Sequence, residues 1–321
     1  MCSVSKTTDP RVTVVIPAFR AEGTIGQALD SVRGQRGAAE FDVIVVDDAS
    51  PDRTSEVARA WIRVNVAQDT SAALGWRVVR LDSNRGPAGA RNEGMRLARG
   101  EWVAFLDGDD AWLPWRLAVQ FDALRAHPDA VLVCGAVSLF DAPSPAAPTD
   151  DQARAALRRV VIEEFIDGNP VPTSTVLVRT DAVREVGGFD ELFRGPEDID
   201  LWMRLAAAGP VLKIEWPLVR YRERPGSLSM DPGKFLPEIL RVYEKAFGPG
   251  GVLWNRRHLR RQTLASRHVS TAWTWLEQGR RGCALRALLR SWVLWPRRLS
   301  IEKRHPFWRM ILLGKIVLNR R

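Results

Sequence analysis

The chain has 321 residues, of which 45% are apolar and 26% charged, and a formal net charge of +9. That length allows one large domain or two smaller ones, and that apolar share excludes a disordered chain. The charge is unevenly spread: residues 251–321 hold 17 Lys/Arg against Glu277 and Glu302, a balance of +15 that leaves residues 1–250 at −6, so an acidic-to-neutral body carries a strongly basic tail.

Arg11-Val-Thr-Val-Val-Ile-Pro17 is a continuous β-rich run closed by proline, the pattern of a buried strand. Gly23–Val32 reads as a helix, and Phe41–Asp48 as a second buried strand ending in acids. Ser50 can cap the next helix, Asp52–Val66. Trp76–Leu81 is a third strand. Pro87–Ala98 is a helix with proline near its start, and Gly100 stands at its C-terminal boundary. A fourth strand over Trp102–Leu106 leads to a helix over Trp112–Ala126 and a fifth strand over Ala130–Leu139. Asp141–Asp151, rich in Pro, Ala and Ser, reads as a surface loop. A helix over Ala153–Phe165, a strand over Val171–Arg179 and a short helix from Asp181 to Gly187-Gly188 follow. Pro196–Ala208 is helical, Val211–Tyr221 returns as a strand, and the pattern is helical from Lys234 onward. Strands alternating with helices predict an α/β fold built on a mainly parallel, doubly wound sheet.

Cys2, Cys134 and Cys283 are widely separated and odd in number. They imply neither a disulfide framework nor a metal spacing, which fits a reducing, cytoplasmic setting. The first ten residues contain no apolar stretch of the kind a secretory signal needs, and no uncharged apolar run is long enough to predict a transmembrane helix.

The stretch that concentrates chemistry is Gly100-Glu-Trp-Val-Ala-Phe-Leu-Asp-Gly-Asp-Asp110. A short buried strand ends in Asp107, Asp109 and Asp110, which repel one another unless a positive charge sits among them. A divalent cation shared with a phosphorylated ligand would serve, because hard cations take oxygen ligands. The alternative is an Asp-rich turn that caps the helix after it. In doubly wound sheets ligands gather beyond the carboxyl ends of the strands. Ala18-Phe19, Asp47-Asp48 and Asp107–Asp110 all fall at such ends, which favours a binding site.

Six motifs then stand in one order: Val14-Val-Ile-Pro-Ala-Phe-Arg-Ala-Glu22, Val43-Ile-Val-Val-Asp-Asp-Ala-Ser-Pro-Asp-Arg-Thr54, Asn84-Arg-Gly-Pro-Ala-Gly-Ala-Arg-Asn-Glu-Gly94, the Asp-Gly-Asp-Asp stretch, Gly187-Gly-Phe-Asp-Glu191 and Gly195-Pro-Glu-Asp-Ile-Asp-Leu-Trp-Met-Arg-Leu205. Together they resemble the inverting, nucleotide-sugar-dependent glycosyltransferases of family 2, which have the GT-A fold. The resemblance covers residues 11–229. It implies a catalytic domain over residues 1–229, with a Rossmann-like nucleotide half over about 11–110 and an acceptor half over about 111–229, followed by a basic, Trp-rich helical extension over 230–321.

The resemblance also implies roles. Pro17, Ala18 and Phe19 would cradle the base and ribose, and Asp48 would accept the base N3–H. Glu22 would help at the nucleotide, although as an acid at a helix entry it equally suits the helix dipole. Asn84, Arg91 and Asn92 would line the nucleotide pocket, with Gly86 and Gly89 letting the backbone approach. Asp107 would lie near the ribose or sugar, and Asp109 would hold Mg2+ or Mn2+ against the diphosphate. Asp110 would support the site from behind or cap the next helix. Asp198 would be the general base that takes the acceptor's hydroxyl proton, with Glu197 positioning the acceptor or stiffening the turn, and Asp200 would be structural. Where the family often has a His before Pro-Gly-Ser, this chain has Arg224, which could hold a diphosphate. No Gln-x-x-Arg-Trp motif is present, which points to single additions rather than polymer synthesis.

The expected activity is therefore transfer of one sugar from a nucleoside diphosphate sugar to a hydroxyl acceptor, on a glycan or lipid-linked precursor. The alternatives are a non-catalytic nucleotide-sugar- or membrane-binding scaffold, and a sugar nucleotidyltransferase. The latter would want a Gly-rich basic loop where Ala18-Phe-Arg-Ala-Glu22 stands. In the tail, Ala284–Trp295 and Phe307–Leu318 are short, apolar and basic. They suit peripheral contact with an anionic membrane at its inner face or packing on the catalytic body, and no nucleic-acid partner is expected.

Overall fold

Val12, Val14, Val15 and Ile16 are all fully buried, as a strand covered on both faces requires. They belong to an interior strand of a nine-stranded sheet in a computed structural model that describes residues 11–36, 41–66, 75–223, 230–300 and 307–318. The strands are β1 (Val12–Ala18), β2 (Phe41–Asp47), β3 (Trp76–Arg80), β4 (Trp102–Phe105), β5 (Ala111–Trp112), β6 (Leu132–Leu139), β7 (Leu157–Val160), β8 (Leu177–Arg179) and β9 (Val211–Tyr221). The helices are α1 (Ile25–Arg33), α2 (Thr54–Asn65), α3 (Gly86–Leu97), α4 (Arg116–Ala126), α5 (Asp150–Ala155), α6 (Thr180–Glu185), α7 (Glu197–Ala208), α8 (Pro232–Phe247), α9 (Arg260–Glu277), α10 (Arg281–Leu294) and α11 (Trp308–Val317).

The first four strands lie parallel in the order β3-β2-β1-β4. Val14, Ile16, Val43 and Val45 pack on one face with Ile25, Leu29 and Val32 of α1 and Ala58 of α2. Ile44 and Val46 pack on the other face with Ala90 and Leu97 of α3. This is the doubly wound arrangement expected from the alternating pattern, and it aligns the carboxyl ends of β1, β2 and β4. α3 approaches β1 so closely that a Cβ at Gly94 would lie 2.3 Å from Val15 Cγ1, so this contact requires glycine. Beyond β4 the sheet is mixed: β8 runs antiparallel to β4 and β6, and β9 pairs parallel with β6 and antiparallel with β5 and β7.

Several expected elements differ. Ala153–Phe165 is not one helix. Thr149 caps the short α5 through a reciprocal bond pair with Gln152, then Leu157–Val160 pairs with β9 and Ile162–Ile166 is a 3-10 turn. The open edge of β9 supplies backbone partners that a local pattern does not reveal. α4 begins at Arg116, not Trp112, because Ala111-Trp112 pairs with Val219 and Arg220 of β9. The expected strand over Val171–Arg179 shortens to β8, preceded by a 3-10 turn at Thr173–Thr175. Ser50 does not cap α2; its hydroxyl accepts the Arg20 N–H, and Asp52 Oδ1 accepts the Thr54 N–H instead.

The described residues fall into two compact units. The first lies within Met1–Val160, Val171–Leu192 and Arg204–Glu223, and the second within Val161–Pro170, Phe193–Met203 and Arg224–Arg321. The second unit is helical. In it Ala265, Val269, Ala284, Leu288, Leu312 and Ile316 make a core shared by α9, α10 and α11. Tyr243 of α8 donates its hydroxyl to the Phe165 carbonyl. Among the described residues no helix is long and apolar enough to cross a membrane, and neither Cys134 nor Cys283 forms a disulfide.

Candidate active site

β1 and β2 each run into a residue with left-handed backbone, Arg20 at φ 52° and Ala49 at φ 53°. A non-glycine residue there carries about 1–2 kcal/mol of steric cost, so neighbouring bonds must hold the turns. The Arg20 N–H donates to Ser50 Oγ at 3.1 Å, and the Ala21 N–H to Thr54 Oγ1 at 2.8 Å. Behind them Asp47 is fully buried. It accepts the Ser50 N–H at 2.9 Å, the Ser55 hydroxyl, and Arg80 Nη1 at 2.7 Å. Pro17 and Ala18 are paired with Val46 and Asp47 in the sheet. Phe19 follows and is 42% exposed at the strand end, with the Arg20 guanidinium 5.3 Å from its ring centroid. Glu22 Oε2 accepts the Arg53 N–H at 3.0 Å, so its carboxylate serves the start of α2.

Asp48 is buried, and its Oδ1 accepts the Arg85 N–H at 2.7 Å, while Asn84 Nδ2 donates to the Asp48 carbonyl at 3.1 Å. Removal from water raises the Asp48 carboxyl above its ordinary pKa; the backbone N–H groups of Arg85 and Gly86 act against that rise, and the Asp47 charge adds to it. Gly86 has φ +76°, which an L side chain rarely adopts. Glycine is therefore needed here for backbone conformation, and a Cβ would meet nothing within 4 Å. At Gly89 the requirement is space, since a Cβ would fall 2.4 Å from Arg85 Cβ.

Arg91 is not a surface residue of α3. It is 5% exposed, and its Nη2 donates to Asp107 Oδ1 at 2.7 Å. The Asp107 N–H donates to Ser174 Oγ at 3.1 Å, and the Ser174 hydroxyl donates to Asp110 Oδ2 at 2.6 Å. Asp110 also accepts the Arg222 N–H at 2.9 Å, is 2% exposed, and caps no helix. Burial, together with the charges of Asp107 and Asp109, pushes its carboxyl up to about 8, against the bonds from Ser174 and Arg222. The same cluster, after removal of the hydroxyl from water, raises Tyr221 to about 12. The Asp-Gly-Asp-Asp turn thus holds more anionic charge than it comfortably carries, which fits a cation. Among the described residues no three His, Cys, Asp or Glu side chains converge as a ready-made metal cage. Asp107 and Asp109 offer hard oxygens that need a ligand's oxygens to complete a shell, as Mg2+ sites on phosphorylated substrates do.

Three groups received no role from the sequence, Arg222, Glu191 and Asn169. Arg222 lies over the Phe140 ring at 3.9 Å and donates through Nε to the Asp109 carbonyl at 3.0 Å and through Nη2 to Gln27 Oε1 at 2.6 Å. Its sequence signal is its place in the stretch Tyr221–Ser229, two residues before Arg224, which lies outside the described residues. Glu191 closes the Gly187–Glu191 motif. Its Oε1 accepts Arg85 Nη2 at 2.7 Å and Asn92 Nδ2 at 3.0 Å. Asn92 also exchanges bonds with the Phe189 backbone, so the Gly-Gly-Phe-Asp-Glu turn is fastened to α3.

In the second unit, Glu197 is buried, and its Oε2 accepts the Gly195 N–H at 2.8 Å, which stiffens the turn where Gly195 has φ +113°. Asp198 is half-buried; its Oδ1 accepts the Ile199 N–H at 2.7 Å and its Oδ2 accepts Asn169 Nδ2 at 2.9 Å. Asn169 went unrecognised because it lies 29 positions away. Asp200 pairs with Lys245 Nζ at 2.9 Å, consistent with the structural role expected of it.

Residues 13–187 match the model of the family described as Glycosyl transferase family 2. The chain belongs to that family, and its sheet and helices form the GT-A-like α/β fold. A curated relative is the succinoglycan biosynthesis protein ExoO of Rhizobium meliloti (strain 1021), 42% identical over 108 residues, which are 34% of this chain and 28% of that protein. The chain likewise spans less than two thirds of the length of several other curated relatives. Among solved structures, residues 1–349 of S. aureus TarS in complex with UDP-GlcNAc align with a TM-score of 0.65 at 20% identity, covering 95% of this chain and 88% of that one. The mannosyltransferase PcManGT from Pyrobaculum calidifontis, in complex with GDP-Man and Mn2+, aligns with a TM-score of 0.60 at 20% identity, covering 98% and 89%. At these identities the likeness concerns the fold.

Proposed function

We propose that this chain is a metal-dependent, inverting glycosyltransferase that moves a single sugar from a nucleoside diphosphate sugar to a hydroxyl acceptor on a glycan or lipid-linked precursor, at the cytoplasmic face of a membrane. The observation that carries the reading is the delivery of Ala18-Phe19, Asp48 and the Asp107–Asp110 turn by the carboxyl ends of three adjacent parallel strands, β1, β2 and β4. The nucleotide-sugar complexes of the two structural relatives and the polysaccharide role in ExoO's name support the substrate class.

In this reading Phe19 stacks on the base and Asp48 accepts its N3–H, while Arg85 and Gly86 keep the Asp48 carboxylate aimed. Arg91 fixes Asp107 beside the ribose or sugar. Asp109, with Asp107, would hold Mg2+ or Mn2+, and what such a cation supplies is compensation for the charge that grows on the departing diphosphate. Asp198 takes the acceptor's hydroxyl proton. The acceptor oxygen bonds to the anomeric carbon as the bond to the nucleoside diphosphate breaks, and attack opposite the leaving group inverts that carbon. Asn169 holds Asp198 in one rotamer for this task.

The test is donor turnover. Release of nucleoside diphosphate from a panel of nucleotide sugars, with Mn2+ and a mixed glycan acceptor pool, should select one donor. Retained nucleotide-sugar binding without any release across the panel would instead indicate a scaffold.

A further inference from the structure

α11 buries Leu312 and Ile316 in the core of its unit and yet carries a second apolar face that meets solvent. Phe307, Met310, Ile311, Gly314 and Leu318 follow i, i+3, i+4 spacing and share one face. Phe307, Met310, Ile311, Val317 and Leu318 are 46–63% exposed. The opposite face, Arg309, Leu312 and Ile316, is buried. Both cations of the helix are turned to protein groups: Arg309 donates to the carbonyls of Trp295 and Arg297, and Lys315 Nζ lies 5.1 Å from the Trp273 ring centroid. An uninterrupted apolar stripe facing solvent marks an interaction surface.

The surroundings identify what covers it. Arg298 sits 5.4 Å over the Phe307 ring at the stripe's start. On α10, which shares α11's core, the exposed face reads Arg286, Leu289, Arg290 and Val293. Residues 278–321 hold twelve Lys/Arg against one acid, Glu302. α11 is about 15 Å long, half of the ~30 Å hydrocarbon core, so it cannot cross a bilayer. A short helix with an apolar outer face, an arginine at its start and a basic exposed face on the helix that shares its core fits the plane of an anionic lipid surface.

We propose that α11 lies in the headgroup–acyl boundary of an anionic bilayer, with Phe307, Met310, Ile311, Val317 and Leu318 immersed and Arg286, Arg290 and Arg298 on the lipid phosphates. This deepens the lipid-linked acceptor reading and rests on it for its purpose. The immersed stripe, not charge alone, holds the protein there, so free phosphate does not substitute for lipid.

Flotation of the full chain tests this, using vesicles of phosphatidylglycerol mixed equally with phosphatidylcholine and vesicles of phosphatidylcholine alone. The wild type floats with the mixed vesicles, binds the neutral ones far less, and is not released by inorganic phosphate at matched ionic strength. Met310→Glu with Ile311→Glu lowers the bound fraction at least about tenfold, and Arg286→Glu with Arg290→Glu removes the preference for the anionic lipid. Unchanged melting shows that the variants fold; where the double variant melts early, Val317→Glu at the far end of the stripe is read in its place. Wild-type-like flotation of the folded stripe variants overturns the proposal. So does lipid-free dimerisation that Ile311→Glu abolishes without any vesicle binding, because a second copy is then the occupant. Donor hydrolysis without vesicles is followed in parallel: flotation lost with hydrolysis retained sinks the docking alone, and hydrolysis absent with flotation retained sinks the catalytic reading alone.

Discussion

Arg91 Nη2 lies 2.7 Å from Asp107 Oδ1, so a buried guanidinium on α3 fixes the first carboxylate of the Asp-Gly-Asp-Asp turn. Arg91→Met leaves Asp107 without this bond and should lower stability by about 1.5–3 kcal/mol, read from urea unfolding. Donor affinity should fall as well, whereas Arg91→Lys should recover much of the stability and less of the affinity, because one ammonium cannot replace the guanidinium plane. Equal donor affinity in all three proteins would remove Arg91 from the site.

Asp109→Ala should abolish most donor turnover while leaving the melting temperature near that of the wild type. Chelation with EDTA should mimic the variant, and added Mg2+ or Mn2+ should restore the wild type but not Asp109→Ala. A chelator-resistant wild type would refute the metal assignment.

Asp198→Asn keeps the shape of the side chain and removes its basicity, so turnover should drop by about 10²–10⁴ with nucleotide binding intact. Asn169→Ala should lower kcat more than it changes donor KM, because Asp198 loses the bond that sets its rotamer. An Asn169→Ala enzyme whose only change is a weaker donor KM would contradict that positioning role.

Arg222 joins Asp109, Asp110, Gln27 and Phe140. Arg222→Met removes the side-chain bonds but keeps the backbone bond to Asp110. Loosening of the turn should then appear as a raised metal requirement for turnover, measured as a shift in the half-saturating Mn2+ concentration. An unshifted Mn2+ titration would make Arg222 a bystander.

His268 on α9 has its pKa lowered from the ordinary 6.5 by removal from water and by the Arg290 charge, and its Nδ1 lacks a hydrogen-bond partner. The unfolded chain therefore takes up this proton first as pH falls. The contribution is fully present above about pH 6.5 and is lost as pH drops through the folded value. Melting of the wild type should decline over that acid range more steeply than melting of His268→Gln, and parallel slopes would show that another group titrates.

β1, β2 and β4 were legible because they are largely apolar runs that are buried almost throughout. Arg11–Pro17, Phe41–Asp48 and Trp102–Leu106 needed no tertiary information to be recognised. β5 and β7 were not legible, since two and four residues become strands only because the edge of β9 offers them bonds. The partners of the site residues were hidden for a related reason. Ser174 reaches Asp110 across 64 positions, Arg222 across 112, and Asn169 reaches Asp198 across 29; no local spacing encodes such contacts.

What the amino-acid order settled alone was the family, the alternation of strands and helices, and which residue types stand at the strand ends, because these follow from short-range periodicity and from motifs read in series. Folding decided the direction of side chains. It buried Arg91 against Asp107, assigned Glu22 to the start of α2, and turned Arg309 and Lys315 inward so that the hydrophobic side of α11 meets solvent. Composition counts those same residues identically whichever way they face, since orientation is set by packing between distant segments and not by the residues next in line.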